Sequence, residues 1–225
     1  MSKQKSKDSA SKQADSSTSG LSSPRVGASG VVWYVIGRVL IDQYGMGQET
    51  GFFVYLNGVP EPLFSGPPSE QTAHFTVRSD PFTIQNFING DLQATLLNAG
   101  LFKLYYNEEP KGDFRNPDTF SSGQHIASFR RSHAMLVSVG PVTSDVFSAE
   151  LVETYDFTFG GVTYNLRDCA PQGITEIGTA STTPLPGVEG FPVVLPFVGS
   201  SLVVGAPPEV TCVDSTYSAE GTNPE

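Results

Sequence analysis

From Val31 onward the apolar residues come in short runs broken by Gly, Pro, Asn and Asp, and within a run they repeat every second position. Such alternation turns one face of a strand to a core and the other to water. It predicts strands over 31–42, 51–57, 72–78, 101–106, 126–139, 191–197 and 201–205. The clearest element is a hairpin over 155–166, YDFTFGGVTYNL. With Gly160-Gly161 as its loop, Phe159 faces Val162, Phe157 faces Tyr164 and Tyr155 faces Leu166, which collects the large side chains on one surface. Arg130 and Arg131 interrupt the 126–139 run, where a bulge is expected, and point to opposite faces. The inward one needs an acidic partner, for which Glu150, Glu153 and Asp156 are candidates on a neighbouring strand.

One segment departs from alternation. Asp91-Leu-Gln-Ala-Thr-Leu-Leu-Asn-Ala-Gly100 starts on a capping residue, spaces Leu92 and Leu96 four apart and ends on Gly, which predicts a short helix. The competing expectation is a tight turn at Asn89-Gly90 between strands 83–88 and 91–97. Turn formers and charge crowd 107–123 and 180–190, so these are expected to be long loops. Pro192 and Pro196 place the 191–197 strand at an edge or beside a bulge. The whole predicts an all-β chain, a single antiparallel β-barrel or alternatively a two-sheet β-sandwich. Residues 31–210 form the domain, behind a disordered leader over 1–30 and before a polar tail over 211–225.

Composition supports this. The 23 Gly, 17 Pro and 15 Phe among 225 residues suit strands joined by tight turns, and the length is enough for one sizeable core. Charge divides the chain: residues 1–30 carry a net +3, and residues 31–225, with 21 acidic groups against 8 basic, carry −13. An acidic body without a basic stripe speaks against nucleic acid as a partner. The first residues lack an apolar core of the secretory kind, and the longest apolar run, 31–41, is too short to span a membrane and contains Arg38. A soluble, cytoplasmic protein is the expectation. Cys169 and Cys212 form a candidate disulfide, with two buried thiols as the alternative.

Candidate chemistry is sparse. The glycines of YGMGQETGFF, 44–53, lead into an aromatic, β-branched strand, whereas a phosphate loop leads into a helix whose free N–H groups hold the anion. Gly45, Gly47 and Gly51 are therefore expected in a hairpin loop. His125 and His133 lie eight positions apart on one strand, too far for a shared metal. The acids Glu108, Glu109, Asp113 and Asp118 fall in a loop and are expected to be solvated. No metal, cofactor or nucleophile motif is recognisable. The weak binding candidates are His74 and Arg78, on the polar phase of their strand, and Arg131.

The stretch GVVWYVIGRV, 30–39, resembles the first strand of the lipocalins, whose Gly-x-Trp signature closes the barrel bottom, and Thr154-Tyr155-Asp156 is similar to a later turn motif of that family. The resemblance spans about a dozen residues and implies a barrel with a ligand cavity. Three classes of function follow. The first is a non-catalytic domain binding a small apolar molecule or a protein partner. The second is a barrel enzyme of isomerase or cyclase type acting on such a molecule. The third is an assembly protein forming homo-oligomers.

Overall fold

The computed structural model describes residues 30–59, 62–90, 92–98 and 100–204. Strands β1 (Val31–Ile41) and β2 (Met46–Leu56) form the first hairpin. Its turn places Gly45 at φ 79°, and Asp42 Oδ1 accepts the Tyr44 and Met46 amides at 2.8 and 2.9 Å. Only Gly45 is a loop residue of this kind. Gly47 and Gly51, expected in the loop, belong to β2, where the Phe82 ring and the β1 backbone respectively occupy the space a side chain would need.

Strands β3 (Phe75–Ser79) and β4 (Phe82–Asn89) are one passage broken at Asp80-Pro81, and β5 (Leu92–Leu97) and β6 (Gly100–Tyr106) are the returning passage. Strands β7 (Gln124–Val139) and β8 (Val142–Thr154) follow as a long hairpin. A small hairpin, β9 (Phe157–Phe159) and β10 (Val162–Tyr164), and a one-turn helix, α1 (Leu166–Cys169), precede β11 (Gly173–Ser181) and β12 (Val193–Val204). Counting each broken pair as one passage, eight antiparallel passages succeed one another and β12 pairs back onto β1. That pairing closes the ladder, so the architecture is the barrel and not the sandwich.

Several expectations are corrected by this closure. Residues 92–97 are a strand and not a helix: Gly90 takes φ 64° in a turn after Asn89, and β5 pairs with β4 on one side and β7 on the other. Two ladders outweigh the leucine spacing. The strands expected separately over 191–197 and 201–205 are one, since β12 runs unbroken through Gly199 and Ser200 between β1 and β11. Strands β8 and β11 were absent from the alternation-based assignment. The 155–166 hairpin has the expected loop and two of the expected pairings, Phe159 with Val162 and Phe157 with Tyr164, but not the third: Leu166 begins α1 and is buried, while Tyr155 lies before β9 and is exposed. Pro196 pairs with Arg38 of β1, beyond the last β11 partner at Phe197, and so lies on a local edge as expected.

Inside, one end of the barrel is filled. Trp33 meets Phe53 and Phe129 edge-on at 5.4 Å, and Phe129 stacks on Phe102 at 5.2 Å. These rings, with Phe75, Leu104 and Ile174, form the main core, and β9, β10 and α1 pack against it. Outside, a second cluster of Phe52, Ala73 and Phe120 lies beneath the 107–123 loop. Thr76 Oγ1 donates to Phe120 O at 2.7 Å, Arg78 pairs with Asp118 at 2.6 Å, and Arg38 covers the Phe114 ring at 4.4 Å. Among the described residues no helix is long and apolar enough to cross a membrane. The predicted leader, apart from Gly30, and the tail lie outside the described residues, as does Cys212.

The aromatic floor predicts a specific loss. Phe129→Ala removes a fully buried ring that touches Trp33 and Phe102. It should destabilise the fold by about 3–5 kcal/mol, read as a fall in the urea midpoint.

Candidate functional site

Above the aromatic floor the inward side chains stop filling the barrel and leave a cavity of about 480 Å³. Its walls are inward residues from all eight passages and include Val39, Ile84, Leu97, Leu136, Phe147 and Phe197. The lining also includes Asn86, Gln93, Ser138 and Thr182, so the wall is not carbon throughout. These follow from two-residue alternation: on β8, Thr143, Asp145 and Phe147 face the cavity, and Ala149 and Leu151 continue the same phase into the core.

Four charged side chains sit where cavity and core meet. Arg131 of β7 is almost wholly buried and donates from Nη2 to Glu49 Oε2 of β2. Its guanidinium carbon lies 4.5 Å from the Phe147 ring centre and 5.2 Å from that of Phe82. Its Nε is buried without a partner among the described residues. Glu176 of β11 is also buried; its Oε2 accepts from Ser201 Oγ at 2.7 Å and from Trp33 Nε1 at 3.3 Å. Oε1 accepts no hydrogen bond among the described residues. Asp145 of β8 likewise receives none.

Glycine makes room for both acids. A side chain at Gly178, the β11 partner of Asp145, would collide with the Asp145 carboxyl, and one at Gly199 of β12 would collide with Glu176 Oε1. Each carboxyl therefore lies across the neighbouring strand. Burial, then the nearby Glu49, raise the Asp145 carboxyl to about 6, against the opposing pull of Arg131. Burial raises Glu176 further, to about 7; Glu49 and Asp145 add to the rise, while the bonds from Ser201 and Trp33 oppose it.

Of the candidates named from sequence, Arg131 alone points inward, and its partner is Glu49 across the lumen, not Glu150, Glu153 or Asp156. Arg130 points out and meets Glu150 at 3.5 Å, while the expected bulge lies between Arg131 and Ala134. His74 and Arg78 lie on the outer face: His74 Nδ1 is 2.8 Å from Asn107 O, and Arg78 is taken by Asp118. The structure does not bring these two together with Arg131. Cys169 is buried with Sγ 3.6 Å from Asn57 O, and burial raises its thiol to about 11. Sequence analysis missed Glu49, Asp145 and Glu176. The available signal was an acid on the apolar phase of a strand, as in Ile174, Glu176, Gly178, Ala180.

The two raised carboxyls couple stability to pH. A glutamate that binds its proton more tightly when folded contributes stability that is full below its ordinary value of 4.5 and is lost as the pH rises to about 7. Glu176→Gln should therefore gain stability relative to the native chain across that window, by at most ~3 kcal/mol at its upper end. Thermal melts of both proteins between these limits measure the difference.

No protein-family model matches the chain, and neither a curated protein nor a solved structure is found that matches it.

Proposed function

We propose that this barrel binds a small, largely apolar molecule in its lumen. The observation that carries the proposal is the hollow above a filled floor. An interior of about 480 Å³ falls within the range of small-molecule sites, roughly 300–1,000 Å³. Its apolar walls supply the area for binding, and its few polar groups supply orientation. At about 0.3 kcal/mol per heavy atom, a ligand of about 20 heavy atoms would dissociate with a constant on the order of tens of micromolar.

A second reading, a proton-transfer enzyme of isomerase or cyclase type, is supported by Asp145 and Glu176, raised to about 6 and about 7. A carboxyl titrating near neutrality is suited to give and take protons in one cycle. Binding and catalysis differ in whether the molecule is recovered unchanged. A homo-oligomer would instead use the outer wall, where Met135, Val146 and Ile177 neighbour one another across the ladders and stay about half exposed.

The lumen is tested by filling it. Titration with a neutral solvatochromic dye such as Nile red should give saturable blue-shifted emission with the native protein. Ala134→Trp, which puts an indole into the cavity from a buried wall position, should abolish it while circular dichroism stays unchanged. Equal dye binding by both proteins would remove the lumen as the site.

A further inference from the structure

The cavity carries an imbalance of charge that its walls do not resolve. Glu49 faces it from β2, Asp145 from β8 and Glu176 from β11. Among the described residues the single cation against them is Arg131 of β7, and it is already engaged by Glu49 and flanked by the Phe82 and Phe147 rings. The remaining passages and the 182–192 loop bring only neutral side chains to the lining, among them Asn86, Gln93 and Thr182.

Two carboxyls are thus left to one hollow. Glu176 is more than nine-tenths buried, and its Oε1 has no donor among the described residues although it lines the cavity. Asp145, which also lines the cavity, has no donor on either oxygen among the described residues. Buried carboxylates are normally paired or hydrogen-bonded, and unpaired ones keep their protons instead. Burial raises the proton affinity of both groups in keeping with that. No group of three or more metal-ligand side chains among the described residues converges tightly enough to hold a metal ion. An anionic ligand would meet two carboxyls, while the Arg131 guanidinium is paired with Glu49 and does not line the cavity.

Resting on the binding reading, we infer that the lumen selects an apolar amine, its ammonium held by Asp145 and Glu176 and its hydrocarbon body against Leu136, Phe147 and Phe197. The ammonium supplies the donors that both carboxyls lack, and its charge offsets theirs once they have lost their protons. The aromatic rings of the wall add a favourable face for a cation.

The test uses three probes of one shape: adamantylmethylamine, adamantylmethanol and adamantane carboxylate, titrated calorimetrically into the full chain. The amine should bind at least about tenfold more tightly than the alcohol, as a charge-assisted hydrogen bond in a partly buried site provides, and the carboxylate should not bind. Glu176→Gln should erase most of that preference without weakening the alcohol, and Asp145→Asn provides the second case. In the native protein the amine's affinity should climb several-fold from about pH 5 to about pH 8, while the alcohol's stays level. Alcohol binding equal to amine binding, lost in Ala134→Trp, would overturn the amine inference and leave the binding proposal standing. Failure of all three probes together with the neutral dye would overturn both.

Discussion

An eight-stranded barrel encloses a space just wide enough for side chains to fill, and the width is set once the ladder closes. Here closure rests on the β1–β12 pairing, which runs from Val31 with Leu202 to Ile41 with Val193. The aromatic rings around Trp33 use the full width at one end. Toward the other end the inward positions carry Val39, Ala134, Leu136 and Ala180, which are too short to meet across the axis. The same constraint therefore yields a solid lower part and a hollow upper part, with the boundary at the level of Glu49, Arg131 and Glu176.

Charges at that boundary are costly unless they are paired, and the chain treats them in two ways. Arg131 and Glu49 join across the lumen, and the Phe82 and Phe147 rings lie within cation–π distance of the guanidinium. Glu176 is tied to Ser201 and Trp33 by one oxygen only. Trp33 thereby links floor and cavity, since its ring belongs to the aromatic core and its N–H orients the acid above. Substitution in the floor would be felt at the site through this one bond.

Much of the fold was legible because alternation survives wherever one face of a strand is covered and the other is wet. β1, β7 and the 155–166 hairpin show it plainly. β2 hid its first half because Gly47 and Gly51 read as loop residues, and β12 seemed divided for the same reason at Gly199. In each case glycine answers to a neighbouring side chain or strand, a requirement that arises only in three dimensions. The site was less legible. Arg131 could be suspected of pointing inward, but its partner comes from a strand 82 residues away in sequence. Asp145 and Glu176 lie on β8 and β11, whose small and polar residues blur the pattern. His74 and Arg78 share a polar face that is covered by the 107–123 loop, and nothing local reveals that cover.

A plugged floor also settles the traffic. The turns at Gly45, Gly90 and Gly140 and the 182–192 segment stand at the unfilled end of the described barrel, so a molecule bound in the proposed way would have to leave by the route it entered. Nothing can thread through. Dwell time would then belong to the rim: the stiffness of those four connections, more than the depth of the grip below them, would decide how long a visitor stays.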